Sequence, residues 1–146
     1  MTRPTLPITV ASSPAPVPAD PALPDLAEAD LEPLLAAFYA DVGRDPLLAP
    51  YFAPLDVAAH VPRIADFWST LLFHSGRYQG NAFRPHADMP GLTAEHFARW
   101  LATLEATVDA RHAGAAAERM KDLGHRVAFS MQLRLGIAPA GGPRLT

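Results

Sequence analysis

Between His60 and Leu72 the chain sets six residues, His60, Ile64, Phe67, Trp68, Leu71 and Leu72, at offsets of 0, 4, 7, 8, 11 and 12. That spacing draws one stripe along an α-helix and fits no face of a strand. The same period recurs in Leu31, Leu34, Leu35, Phe38, Tyr39 and Val42, and in Phe97, Trp100, Leu101, Leu104 and Val108. It returns in Met120, Leu123, Val127, Ala128, Met131 and Leu135. No segment alternates apolar and polar residues long enough to make a strand, so the spacing predicts an all-α domain of amphipathic helices.

Prolines and glycines set the limits of these helices. Pro33 is tolerated only in a first turn, which favours Asp30 over Asp25 as the cap of the first helix, and Gly43 with Asp45-Pro46 ends it. Pro46 and Pro50 bracket a turn whose Leu47, Leu48, Tyr51 and Phe52 are too apolar to lie open to water. Pro62 predicts that the next helix either begins near Val61 or is kinked there. Thr93 is expected to cap a third helix, with Glu95 in its first turn, and Gly136 to stop a fourth running from about 115 to 135. Seven of the 16 prolines fall before residue 25. The chain therefore divides into a disordered Pro/Ala-rich extension over 1–24, a folded domain over 25–136 and a flexible tail over 137–146.

Composition narrows the function classes. The 146 residues suffice for one domain, and 49% hydrophobic against 18% charged residues leaves apolar surface to spare for a ligand. A net charge of −3 with no basic block argues against nucleic acid as a partner. Absence of cysteine removes disulfides, thiolate metal sites and thiol nucleophiles together. No run approaches the ~18 consecutive apolar residues of a membrane span, and no apolar leader follows a basic start, so a soluble, cytoplasmic protein without a membrane partner is expected. Phosphate loops, His-Glu-x-x-His pairs and nucleophile elbows are also missing.

What remains is histidines and large aromatics. Helical phase leaves His96 solvated beside Glu95, a polar turn does the same for His112, and His125 falls at the edge of the last helix's apolar face. His74 lies at a helix C-terminus, where a cation suits the dipole. His60 and His86 differ from these. One opens an apolar stripe, and the other sits between Pro85 and Pro90 in the loop that follows that stripe. Two such imidazoles can flank a flat apolar ligand such as an iron porphyrin, or share a non-haem metal. A ligand-free helical interaction domain, with the aromatics as plain core, is the third possibility.

Taken in order, these residues resemble a known family. Phe38-Tyr39, Tyr51-Phe52, His60 with Phe67-Trp68, Pro85-His86 and His96-Phe97-x-x-Trp100 fall where group III truncated haemoglobins carry such residues. Successive spacings are 13 (Tyr39 to Phe52), 8 (His60 to Trp68), 18 (Trp68 to His86) and 14 (His86 to Trp100). The resemblance covers roughly residues 30 to 136, and the Pro-rich extension departs from it. It implies a truncated globin, a two-over-two helical sandwich around haem b. His86 would be the proximal ligand of the haem iron, Tyr39, His60 and Trp100 the distal pocket, and Phe52, Ile64, Phe67 and Trp68 the porphyrin wall. The implied partner is dioxygen or another diatomic molecule, bound by a monomer or weak dimer. Three potential distal donors suit redox chemistry on nitric oxide or peroxide better than simple carriage, and that redox activity would require a separate reductase, since no flavin or nicotinamide domain is visible.

Overall fold

The computed structural model describes residues 22–81, 89 and 91–137. A 3-10 turn, Glu28–Asp30, leads into α1 (Leu31–Val42), followed by a single helical turn, α2 (Ala49–Phe52), and by α3 (Val57–Phe73), α4 (Ala94–Arg111) and α5 (Ala115–Arg134). Among the described residues there is no strand. No helix among them is long and apolar enough to cross a membrane.

Local chemistry accounts for most helix ends. Pro33 lies in the first turn of α1, where its missing N–H costs nothing. Asp30 holds the N-cap position, but its carboxylate turns back to accept from the Ala27 N–H at 2.8 Å, closing the 3-10 turn instead. The apolar stretch after Pro46 is a short helix with Pro50 in its first turn, and Leu48 is buried beneath it. Of the two expectations for Pro62, the helix start near Val61 fails: α3 begins four residues earlier, where Asp56 accepts from the Ala59 N–H at 3.2 Å. Pro62 therefore sits inside the helix, opposite the carbonyl of Ala58, a residue exposed to water that can satisfy that oxygen. His74 lies at the C-terminus of α3 as expected, as its C-cap with left-handed torsions (φ 57°, ψ 34°).

The four long helices form two pairs, α1 with α3 and α4 with α5, joined by contacts of α1 with α4 and α3 with α5. Leu31, Leu34, Leu35, Phe38 and Val42 give α1 a face that is at most 1% exposed. Burial of each such side chain stabilises by about 1.5–3 kcal/mol. These residues join Trp68, Leu72, Leu104, Val108 and Met120 in the main core. A second, smaller core of Phe97, Ala128 and Met131 lies between α4 and α5. Trp100 packs against both, so the apolar interior is split rather than continuous.

The segment before α1 is fastened to the far end of the fold. Asp25 accepts hydrogen bonds from the amides of Ala116 (3.0 Å) and Ala117 (2.9 Å), capping α5 from 91 residues away. The Pro24 carbonyl accepts from Ala113 N–H at 3.1 Å and lies 3.3 Å from His112 Nδ1. Gly114 turns the chain here at φ 143°, and a Cβ on it would stand 2.4 Å from the Asp25 carboxyl carbon. His112 is consequently buried rather than solvated, since Pro24 and Asp25 cover the turn that local sequence marks as polar. Burial works to raise the Asp25 pKa, but the amides of Ala116, Ala117 and Leu26 and the nearby His112 outweigh it and hold the carboxyl below the ordinary 3.8.

Candidate functional site

The gap between the two cores is a cavity of about 380 Å³. Tyr39 of α1 and Phe52 of α2 line it together with His60, Ile64, Phe67 and Trp68 of α3 and Trp100 of α4. All seven of the described residues singled out in the sequence meet there. His86 lies outside the described residues. Met89 and Leu92, which follow it in the chain, line the same cavity. The opposite wall comes from Phe97, Val127, Ala128 and Met131.

One end of the cavity is a packed set of aromatic rings. Phe38 meets Tyr39 edge-on at 4.7 Å and Trp100 at 5.7 Å, and Tyr39 meets Phe52 at 5.5 Å. Such contacts contribute about 0.5–1.5 kcal/mol each beyond area and fix the ring orientations. Burial pushes the Tyr39 phenol up to about 12, only partly offset by a hydrogen bond from the Trp100 indole. The phenol stays protonated at neutral pH and keeps its hydrogen to donate. The indole N–H is directed to the Tyr39 oxygen, so of the two groups Tyr39 is the one left with a donor for the cavity.

His60 stands on the exposed rim rather than within the packed wall. Because α3 starts at Val57, His60 falls in its first turn, ahead of Pro62 and beside the mouth. Arg63, one turn on, also lines the cavity, and its guanidinium lies 5.2 Å from the centre of the Tyr78 ring. Tyr78 in turn packs edge-on against Phe67 at 5.3 Å. A Cβ on Gly80 would fall 2.6 Å from the Arg63 guanidinium and 2.7 Å from the Tyr78 hydroxyl, so a larger residue there would displace the ends of these two side chains.

Bonds made after α3 hold Tyr78 there. Its amide donates to Thr70 Oγ1 at 3.0 Å. Ser69, 1% exposed, donates to Glu28 at 2.5 Å and bonds Ser75 at 2.8 Å, while Arg77 pairs with Glu28 and, at 3.4 Å, with Asp66. Local sequence gives no sign of this tie, because Glu28 is 41 residues from Ser69. Arg63 had a signal in its place three residues after His60, hence on the same helical face.

Two more pocket residues escape a periodicity argument. His96, expected to be solvated, is half-buried, lines the cavity and meets the Tyr51 ring edge-on at 5.3 Å. Tyr51 lines the cavity as well. His125 is an exposed surface residue, bonded to Glu105 at 2.7 Å, rather than part of the core. Among the described residues no cluster of three or more His, Cys, Asp or Glu is gathered to hold a metal ion.

Comparison with known proteins bears on this arrangement. No family model matches the chain. It is 29% identical over 82 residues to a curated group 3 truncated hemoglobin of Campylobacter jejuni, a match covering 52% of this chain. The chain spans 65% of the length of that relative. The crystal structure of the group III truncated hemoglobin from Campylobacter jejuni superposes with a TM-score of 0.69, at 24% identity, covering 81% of this chain and 96% of the other. The fold is that of a truncated globin, the two-over-two helical sandwich.

Proposed function

We propose that the cavity holds haem b, with His86 as the iron ligand, and that the chain binds dioxygen or another diatomic molecule there. One observation carries the reading: Tyr39, Phe52, His60, Ile64, Phe67, Trp68 and Trp100 border a single cavity that divides the core. The residues fit the chemistry of the group. Phe52, Ile64, Phe67 and Trp68, with Val127 and Met131 opposite, offer apolar walls to a macrocycle. Arg63 and the Tyr78 hydroxyl, in the space that Gly80 leaves, suit the carboxylates at its edge.

When bound, the haem iron supplies coordination of a diatomic molecule and, with electrons from a separate reductase, redox chemistry such as conversion of nitric oxide or peroxide. This chain's residues orient and hold the guest. Tyr39, protonated across the physiological range, donates a hydrogen bond inside a water-poor space, where such a bond is stronger than in water. Trp100 fixes the phenol by occupying its oxygen. His60, at the rim, controls approach from solvent rather than adding a second donor in the packed wall.

Addition of haem to the purified chain, followed by absorption, tests the reading. A strong Soret band saturating at one haem per chain is expected, with Arg63→Ala weakening haem retention by about tenfold, the scale of one charge-assisted contact. The absence of a Soret band after supplementation would overturn it.

A further inference from the structure

We propose that Glu28, in the turn ahead of α1, is a positioning residue for the cavity: it holds Tyr78 at the edge where Arg63 lies and thereby slows the escape of a bound haem. The inference rests on the haem reading for that last consequence alone. The chain leaves α3 through two left-handed residues, His74 (φ 57°) and Gly76 (φ 72°), and runs back along the helix it has just left. The Tyr78 amide then donates to Thr70 Oγ1 at 3.0 Å, and the Tyr78 ring meets Phe67 at 5.3 Å and Arg63 at 5.2 Å. Arg63, Phe67 and Thr70 follow one another at four and three residues, so Tyr78 lies along one face of α3.

A chain of hydroxyls ending on Glu28 fixes residues 75–77. An ionised carboxylate only accepts, so the single hydrogen of Ser69 Oγ is committed to Glu28 at 2.5 Å. Ser75, whose Oγ lies 2.8 Å from that of Ser69, must then supply the hydrogen of their bond, which leaves its own oxygen to accept from the Arg77 N–H at 3.3 Å. The Arg77 guanidinium closes the loop by pairing with Glu28 and donating to Ser69 Oγ at 3.3 Å. Every bond from the Arg77 amide onward thus points toward the carboxylate, which sets the direction of the whole chain. Ser69 is 1% exposed, so water does not readily replace Glu28 as its acceptor.

Glu28 and Arg77 are themselves partly exposed, so their pair adds little to global stability. Its effect is local. Arg63 and Tyr78 line the cavity, whereas Glu28, Ser69, Ser75 and Arg77 lie outside its lining. Arg77 is bonded to Glu28 by its side chain and is the residue before Tyr78, so the hold of the carboxylate passes to the cavity edge within one peptide unit. Asp66 shares Arg77 at 3.4 Å but belongs to α3 itself, so Glu28 is the partner that ties the loop to a second element. That element is anchored independently of the loop, by Asp25 on the amides of Ala116 and Ala117.

Hydrogen exchange of the Arg77 and Tyr78 amides in the haem-free full chain reads this hold directly. Glu28→Ala should speed both about fivefold, the scale of one hydrogen bond, and leave the amides of α1 and α5 unchanged. Glu28→Gln, which can still accept from Ser69, should restore most of the protection. Transfer of haem from the loaded protein to a scavenging apoprotein should accelerate about fivefold in Glu28→Ala and at least as much in Tyr78→Ala, and the double variant should be no faster than Tyr78→Ala. Unchanged exchange at residues 77 and 78 overturns the hold of Glu28 on the loop, as does acceleration spread evenly over the helices, which marks a general loss of stability. Glu28→Gln exchanging as fast as Glu28→Ala overturns the hydroxyl chain. Additive acceleration of haem loss in the double variant overturns action through Tyr78. Failure of the haem reading is visible separately, as a missing Soret band, and leaves the exchange result to decide whether Glu28 positions Tyr78.

Discussion

Helices α1 and α3 carry similar apolar stripes and use them differently. On α1 the stripe is closed except at Tyr39, which lines the cavity: Leu31, Leu34, Leu35, Phe38 and Val42 have essentially no exposed surface. On α3 the stripe divides, with Ala65, Trp68 and Leu72 buried while Ile64, Phe67 and Leu71 remain half-buried and His60 exposed. Ile64 and Phe67 face the cavity. A periodic stripe therefore marks which side of a helix faces inward, but not whether protein or a ligand covers it. The α1 stripe holds the fold together, and the outer part of the α3 stripe borders the cavity proposed to hold haem.

The sharpest way to break this contrast is truncation on each helix. Phe38→Ala should destabilise the protein by about 3–5 kcal/mol, because the site is closed on every side. Phe67→Ala should cost less than half as much in haem-free protein and act chiefly on haem retention. Equal losses in denaturant melts would show that the α3 stripe is ordinary core.

Asp25→Ala should come next, at about 1–2 kcal/mol near neutral pH, since two amides of α5 and that of Leu26 lose their acceptor. Because the folded carboxyl titrates below 3.8, this contribution is present above the ordinary carboxylate range and is lost as pH falls through the lower folded value. Melts of wild type and variant at pH 7 and pH 3 check the sign: the gap should narrow in acid.

A smaller change in stability is expected for Tyr39→Phe, with release of a bound diatomic molecule accelerated about tenfold by loss of one donor. Stopped-flow ligand displacement measures it. In an alkaline ultraviolet titration one of the three tyrosines should resist ionisation until about pH 12. The folded phenol's raised value means its contribution to stability is present below about pH 10 and is lost as pH rises through about 12. Smallest of all, His125→Ala should shift stability by about 0.5 kcal/mol or less, as its bond to Glu105 is exposed.

The helices and both faces of the sandwich were legible because periodicity, caps and prolines are local signals. Tyr39, Phe52, His60, Trp68 and Trp100 were named through the family resemblance; helical phase had set all of them but Phe52, which lay in a segment read as a turn. What escaped reading depends on distant partners. Asp30 looked like a simple cap, yet Ala27 takes its carboxylate. His112 looked solvated because the Pro24–Asp25 cover comes from 88 residues earlier. His96 was placed outside by helical phase alone, which ignores that a first-turn side chain can bend back to the amide of its own cap. Arg63, Tyr78 and Gly80 form a corner only through the Ser69 and Thr70 bonds that hold the chain after α3.

The central claim, that the open half of the α3 stripe faces a haem held by His86, is tested most directly by His86→Gly with added imidazole. The account predicts that the variant loses haem rapidly and that free imidazole restores both retention and the Soret band, while His125→Gly behaves as wild type. A His86→Gly protein that keeps haem and its spectrum without imidazole would contradict it.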